Sequence, residues 1–134
     1  MDKDLNLKSL LLMQAGLRLF NQKCFWECHE ALEDLWYEDQ RAPQSQVYWA
    51  IIQAATALYH YENKNIVGAR GMINKAKAKV KEVMLLGVDH SFLDTNLGWC
   101  EFCSILENIS ESPVLEEFES LCEFNFPLLP KGKK

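Results

Sequence analysis

The chain has few of the residues that interrupt helices. It contains four prolines and six glycines in 134 residues, and no proline lies between Pro43 and Pro113. Long periodic segments therefore run without a break, and none alternates with period two for long enough to predict a strand. No apolar run reaches the roughly 18 residues of a membrane-spanning helix. These absences favour an all-α protein that does not cross a membrane.

The chain also lacks a surplus of positive charge and an even number of cysteines. Its formal net charge is -5, which argues against a nucleic-acid-binding protein, because such proteins are usually basic. The start, Met1–Asp4, lacks the basic and then apolar pattern of a secretory signal. Five cysteines without such a signal are expected to be reduced thiols. We therefore expect a cytoplasmic protein with no membrane partner.

What the sequence does contain is a series of amphipathic segments. Their periodicity predicts helices over 5–21, 25–39, 45–63, 66–86 and 90–108, and a short sixth helix over 113–123. Asp89 is expected to cap the fifth helix, and Ser112 with Pro113 to begin the sixth. We predict one bundle of five to six antiparallel helices over 1–123 and an extended apolar tail over 124–134. The tail is expected to lie across the bundle; exposed, it would be a docking peptide for a partner.

A faint internal repeat relates the first two helices to the next two. Five positions recur at an offset of 41 residues: Gly16, Leu19, Cys28, Leu32 and Leu35 match Ala57, His60, Ala69, Ile73 and Ala76. The spacing weakly resembles the small and large positions of a tetratricopeptide helix hairpin. It predicts two stacked helix hairpins.

The third predicted helix is apolar nearly all round, which is typical of a helix at the centre of a bundle. Between Tyr48 and Tyr61, its polar residues Gln53, Thr56 and His60 form one stripe. A buried amide or imidazole without a partner costs about 1–3 kcal/mol, so this stripe is expected to face polar groups.

Two blocks of sequence resemble the family known as domain of unknown function 309. The first is Phe25–Trp36, and the second runs from Ile52 to His60 and is followed by Asn65 and Gly68. The resemblance covers roughly residues 12–90. It implies a small α-helical bundle without an established activity. It also points to a set of signature residues: His29, Glu30, Glu33, Trp36, Gln53 and His60.

The signature residues suggest a polar pocket between the second and third helices. His29 and Glu33 are one helical turn apart, and Trp36 continues their stripe. If this stripe faces that of the third helix, then His29, Glu33, Gln53 and His60 meet. A carboxylate beside an imidazole orients its tautomer and suits a general base.

Three interpretations of this cluster stay open. It is a polar network that fixes how the helices dock, a ligand or catalytic pocket, or a three-ligand metal site. The familiar His-Glu-x-x-His pattern is absent from the sequence. We therefore predict no metal and no cofactor.

The cysteine pairs Cys24/Cys28 and Cys100/Cys103 suggest zinc binding or thiol redox chemistry by their spacing. The pairs fall inside predicted helices or, for Cys24, directly before one, whereas zinc ligands usually come from turns. We interpret them as buried structural thiols.

Charge is unevenly distributed. Residues 27–39 hold six acidic residues and no basic one, whereas residues 64–81 hold six basic residues and no acidic one. We interpret these segments as solvated faces, complementary within or between subunits. The alternative is that residues 64–81 form a basic surface that binds RNA or a phosphorylated ligand.

The sequence favours an interaction or scaffold module that binds a protein partner or its own copy. One alternative is a small-molecule-binding protein or hydrolase-like enzyme that uses the polar pocket. Another is a nucleic-acid accessory protein that uses the lysine-rich fourth helix, although nucleic acid is the less favoured partner. Whether the protein is an enzyme is not decided by its sequence.

Overall fold

The computed structural model describes residues 7–40 and 44–129. Within these residues the chain forms helices and no strand, which confirms the predicted all-α class. The helices are α1 (Leu7–Asn21), α2 (Phe25–Glu38), α3 (Gln44–Glu62), α4 (Ile66–Leu85), α5 (His90–Leu97), α6 (Trp99–Asn108) and α7 (Glu119–Glu123), with a 3₁₀ turn at Leu115–Phe118 before α7. The first two residues of the predicted helix over 5–21, and residues 130–134 of the predicted tail, lie outside the described residues.

The first four helices form two antiparallel hairpins, α1 with α2 and α3 with α4, because each pair is joined by a short connection. In the first hairpin the helices approach closely where a Cβ built on Gly16 would lie 2.7 Å from Cγ of Leu32. Ala57 and Ile73 stand 41 residues later in the second hairpin and are both fully buried. The hairpins stack through α2 and α3, as the repeat predicted.

Helix α3 lies between α2 and α4. Tyr59 and Trp49 of α3 pack on Trp26 and Trp36 of α2, an order that shows the two helices to be antiparallel. On its other side α3 packs along α4 through the most extensive helix interface of the described residues. The all-round apolar sequence of α3 therefore has its physical reason in burial on both sides.

The prediction of one fifth helix over 90–108 was wrong, because the chain turns at Gly98 and forms α5 and α6 instead. Gly98 has φ 60° and ψ 38°, and its N–H donates to the carbonyl of Asp94 at 3.0 Å. Glycine adopts this left-handed conformation without the steric cost that a Cβ imposes. A Cβ there would also lie 3.3 Å from Cδ of Pro127. The turn places Trp99 at the start of a new helix.

The predicted cap of the fifth helix is confirmed, whereas that of the sixth is wrong. Asp89 accepts a hydrogen bond from the N–H of Phe92 at 3.2 Å. At the sixth, helical structure begins only at Leu115, after Ser112 and Pro113. Glu117 fixes the preceding loop in a non-helical conformation, because its carboxylate accepts from Ser110 N–H at 3.0 Å and from Val114 N–H at 3.2 Å.

The described part of the tail, residues 124–129, is extended and lies across the bundle. Asn21 of α1 makes two hydrogen bonds with the backbone of Phe126: its Oδ1 accepts at 2.8 Å and its Nδ2 donates at 2.9 Å. The ring of Phe126 is buried against Phe20 and Phe102. The tail thereby joins α1 to α6.

Candidate functional site

His29 and Glu33 lie on one stripe of α2 between Trp26 and Trp36, whose rings pack against α3. We call this the inner stripe of α2. Nε2 of His29 lies 3.6 Å from Oε1 of Glu33, and the two side chains are 17% and 29% exposed. The spacing of one helical turn brings them together, as the sequence predicted. The pair is half-buried, so solvent screens it less than an ion pair on an open surface.

Trp26 is a site residue that the sequence reasoning did not select. Its ring lies 4.6 Å from that of His29 and 4.9 Å from that of Tyr59, measured between centroids. It is nevertheless 42% exposed. The sequence spacing could have identified it, because Trp26 stands three residues before His29 and therefore on the same side of the helix.

Trp36 and Gln53 meet through a third residue, Trp49. The Trp36 and Trp49 rings are 4.7 Å apart. With its amide oriented to satisfy both groups, Gln53 accepts from Nε1 of Trp49 at 3.0 Å and donates to the carbonyl of Lys75 at 3.1 Å. Gln53 is only 6% exposed, so this amide links α3 to α4 inside the bundle.

His60 lies at the end of α3, beside the turn into α4. Its Nδ1 is 3.3 Å from Nδ2 of Asn65, whose Oδ1 caps α4 by accepting from Gly68 N–H at 3.0 Å. The imidazole therefore supports the residue that begins the next helix.

The signature residues belong to three separate groups of contacts. His29 pairs with Glu33, Trp36 belongs with Trp49 and Gln53, and His60 contacts the turn before α4. Glu30 is exposed and lies outside these groups. Among the described residues, no hydrogen bond or ion pair joins His29 to Gln53 or to His60. The convergence of all four polar side chains on one pocket stays a prediction.

One polar atom at the inner stripe has no partner within the part of the chain that the structure describes. Nδ1 of His29 is buried without a hydrogen bond among the described residues. The hydroxyl of Thr56, on the polar stripe of α3, donates to the carbonyl of Ile52 at 2.9 Å and is thus engaged within its own helix. His29 therefore keeps one unused ring nitrogen, Nδ1, while its other nitrogen, Nε2, lies near the Glu33 carboxylate.

The outer face of α2 is acidic and bounded by aromatic side chains. Trp26, at the border between this face and the inner stripe, lies near its start, and Tyr37, 64% exposed, lies near its end. The exposed carboxylates on this face are those of Glu27, Glu30, Asp34 and Glu38. None of them forms an ion pair with another described residue. We call these six residues the outer face of α2.

Several polar and basic side chains of α4 hold the segment that follows α6. Nε of Arg70 donates to the carbonyl of Pro113 at 2.9 Å, and Nδ2 of Asn74 to that of Glu111 at 3.3 Å. Nζ of Lys77 donates to the carbonyl of Ile109. These contacts give part of the lysine-rich helix a structural role, which weakens the case for a nucleic-acid surface.

The cysteines differ in their surroundings more than the sequence suggested. Cys28 is buried, and burial raises the pKa of its thiol to about 12. Cys24 and Cys103 are half-buried and Cys100 is exposed, so the interpretation of both pairs as buried thiols holds fully only for Cys28 and was wrong for Cys100. Within residues 7–40 and 44–129, no group of three or more His, Cys, Asp or Glu side chains is placed to hold a metal ion. None of the helices in the same ranges has both the length and the apolar character that a membrane crossing requires.

Fold and contacts together define a small all-α protein of two stacked hairpins, with an aromatic and acidic helix on one side. Residues 13–72, from α1 into α4, match the family described as "Domain of unknown function (DUF309)", and this match confirms the resemblance inferred from the sequence. The match contains every signature residue.

A curated relative is similar over part of the chain. The "Uncharacterized protein YpuF" of Bacillus subtilis (strain 168) is 36% identical over 73 residues, which is 52% of this chain and 42% of that protein. The chain thus matches less than half the length of this relative. No solved structure matches the chain significantly, so the likeness to tetratricopeptide hairpins stays a prediction.

Proposed function

We propose that the protein is a helical interaction module that binds an arginine-rich segment of another protein along the outer face of α2. The observation that carries the proposal is the position of Trp26, which is 42% exposed yet lies against the rings of both His29 and Tyr59. A large aromatic side chain that is already ordered loses little entropy on binding. Such side chains are enriched among the residues that dominate interface energies.

The charges of this face indicate the chemistry of the partner. Three of its four carboxylates lie between Trp26 and Tyr37 along the helix, and Glu38 follows directly; all four lack ion-pair partners among the described residues. A guanidinium group pairs with carboxylates in a bidentate manner and also stacks on aromatic rings. An arginine-rich segment therefore fits this surface better than a lysine-rich one does.

A second copy of the chain fits the face less well. The exposed basic side chains of α4, Lys75 and Lys81, lie on the opposite side of α3 from α2. Contact between α2 of one copy and α4 of the next is heterologous, and such contacts build rings or open filaments rather than closed dimers. We therefore favour a different protein as the partner.

The proposal is tested with two synthetic peptides that have four Gly-Arg or four Gly-Lys repeats and blocked ends. Binding is followed by isothermal titration calorimetry and by tryptophan fluorescence. The arginine peptide is expected to bind several-fold more tightly than the lysine peptide, because cation–π contacts contribute about 0.5–1 kcal/mol each at exposed sites. Replacing Glu30 and Asp34 together by lysine is expected to weaken the arginine complex about thirtyfold, since two lost charge contacts near the surface, each worth on the order of 1 kcal/mol, amount to about 2 kcal/mol.

The matched control replaces Glu116 and Glu119, two exposed residues near α7, by lysine. This double variant changes the net charge by the same amount as the α2 variant. It is expected to leave peptide affinity within a factor of about two, apart from the long-range effect of net charge. Equal losses in both double variants would show that the peptides respond only to net charge, and would refute the proposed face.

His29 enters this proposal as a positioning residue, because it acts through Trp26. Trp26→Ala is expected to weaken the arginine peptide about three- to fivefold. His29→Ala is expected to weaken it less, and to add nothing once Trp26 is absent, since coupled residues are not additive. Additive losses would instead give His29 its own contact with the peptide.

A small-molecule or hydrolase-like role is the second candidate, and the His29 imidazole favours it, because its Nε2 lies 3.6 Å from Oε1 of Glu33 and its Nδ1 has no partner among the described residues. A general base needs an imidazole oriented by such a carboxylate. The candidate is tested by turnover of 4-nitrophenyl acetate. It predicts a rate that falls about a hundredfold in His29→Ala and also falls in Glu33→Gln. A rate unchanged by either substitution eliminates it.

A further inference from the structure

Cys100 and Cys103 line a cavity of about 490 Å³ between the end of α4 and helices α5 and α6. The cavity lies away from the outer face of α2 and outside residues 13–72, the part that matches the family. Its size falls within the range of small-molecule sites in proteins. It holds two thiols that the proposed function does not use.

The turn at Gly98 places these thiols near the start of a helix, whereas the sequence predicted them in the interior of a longer helix. Because α6 begins at Trp99, Cys100 lies in the first turn of α6 and Cys103 lies three residues later. In a regular α-helix, Cα atoms at this spacing are about 5 Å apart. That separation falls within the usual range for disulfides, so the pair can close with little movement of the backbone.

We infer that Cys100 and Cys103 form a thiol–disulfide exchange site that reacts with small neutral or cationic disulfides entering this cavity. The thiolate of Cys100 attacks one sulfur of the small disulfide, forms a mixed disulfide and releases the first small thiolate. Cys103 then loses its proton to solvent and attacks Sγ of Cys100, which releases the second small thiolate. Both small thiolates take up protons from water. The two protein thiols are oxidised to one disulfide, and the small disulfide is reduced to two thiols.

The order of attack follows from the surroundings of the two sulfurs. Cys100 is exposed, whereas Cys103 is half-buried. Burial, together with the nearby Glu107 and Cys100, raises the pKa of the Cys103 thiol to about 12. Exchange requires a thiolate that can reach its target. Cys100 is therefore the attacking residue and Cys103 the resolving one.

The other groups of the cavity indicate which disulfide it accepts. Asp94 and Glu107 line it, and their carboxylates disfavour an anionic guest. His90 is the only basic side chain on the described wall of the cavity. Trp99 also lines it. A small disulfide that carries amines meets the carboxylates, which attract its positive charge.

The test exposes the reduced, full-length protein to cystamine, a cationic disulfide. Remaining thiols are then alkylated, and the intact protein and its peptides are analysed by mass spectrometry. The expected product has lost two hydrogen atoms and contains a bond between Cys100 and Cys103. Cys103→Ser is expected to stop at a cysteamine adduct on Cys100, and Cys100→Ser to form no adduct at Cys103. Cys28, which is fully buried, serves as the unreactive internal control.

Two outcomes overturn the inference. One is a native protein that keeps the cysteamine adduct on Cys100 without closing the internal bond. The other is a bond from Cys100 to Cys24 or Cys122. If either serine variant fails to fold by circular dichroism, the peptide map of the native protein decides alone.

The charge preference is measured separately with oxidised glutathione, which is anionic. At low salt, cystamine is expected to oxidise the pair at least about tenfold faster, and the difference is expected to shrink as salt is added. Equal rates at low salt would refute the preference for cationic disulfides.

Discussion

Gly68 of α4 lies directly against the imidazole of His60: a Cβ built on Gly68 would be 2.8 Å from Cγ of His60. The same Cβ would be 2.8 Å from Nδ2 of Asn65, the residue that caps α4. The close approach at the turn between α3 and α4 therefore requires the absence of a side chain at position 68. Three residues that carry the family resemblance thus form one structural unit.

The first prediction concerns the two glycines of α4. Gly68→Ala is expected to destabilise the protein by about 1–3 kcal/mol, because the added methyl group displaces His60 and disturbs the Asn65 cap. Gly71→Ala is the matched control, since nothing lies within 4 Å of a Cβ at that position. The control is expected to stabilise the protein by roughly 0.5–1 kcal/mol through helix propensity. Both values are measured by urea unfolding, and stabilisation by both substitutions would contradict the close contact.

The second prediction concerns Gln53, whose amide bridges Trp49 and the carbonyl of Lys75. Gln53→Leu is expected to cost about 1–3 kcal/mol of unfolding free energy, because the indole N–H loses its buried acceptor. Gln53→Glu is expected to cost more at neutral pH, since a carboxylate cannot donate to the Lys75 carbonyl and is buried as a charge. Thermal unfolding at pH 7 ranks the variants. If Gln53→Leu were as stable as the native protein, the amide would have no structural role.

The sequence predicts helices well where a buried stripe continues from end to end. The observed α2 and α4 end within one residue of their predicted boundaries because apolar positions three and four residues apart define both seams. It fails at Gly98, since a glycine inside a periodic run is compatible with a continuous helix. The prediction also fails at Ser112 and Pro113, because Glu117 accepts from the Val114 N–H, a group that a Ser112 cap would have used. A hydrogen bond from a side chain to the backbone of a loop leaves no periodic pattern in the sequence.

The candidate site divides in the same way. His29 and Glu33 were predictable as neighbours because a single helix sets their separation. The partners of Gln53 were not, since they depend on the packing of α3 against α4 and include a backbone carbonyl. Trp26 was visible in the sequence, but its contact with Tyr59 depends on the antiparallel pairing of α2 with α3. Contacts between side chains of one helix can be predicted from their spacing, whereas contacts between helices can be known only from the fold.

The third prediction concerns the attachment of the tail by Asn21. Asn21→Ala removes both hydrogen bonds to the Phe126 backbone and is expected to lower the unfolding free energy by about 1–3 kcal/mol. Asn21→Asp keeps an acceptor for the Phe126 N–H and is expected to cost less. Phe126→Ala is expected to cost about 3–5 kcal/mol, because the ring is buried against three other phenylalanines, Phe20, Phe102 and Phe124. Chemical denaturation measures all three. A stable Phe126→Ala variant would show that the tail contributes nothing to the core.

The fourth prediction is a pH dependence at Glu117. Hydrogen bonds from the N–H groups of Ser110 and Val114 lower the pKa of this carboxyl below its ordinary value of 4.5. A carboxyl whose pKa is lower in the folded state stabilises the fold at pH values above its unfolded pKa. That contribution is lost as the pH falls through the folded pKa.

Glu117→Gln is therefore expected to lower the melting temperature at pH 7, and the difference from the native protein is expected to shrink below pH 4.5, the ordinary carboxyl value. Thermal unfolding from pH 7 to pH 3 gives this difference directly. Glu116→Gln is the control, because this neighbouring carboxylate is exposed and makes no hydrogen bond with another described residue. It is expected to leave the melting temperature nearly unchanged at every pH. A Glu117→Gln difference that stays constant down to pH 3 would mean that the loop responds to the shape of the side chain rather than to its charge.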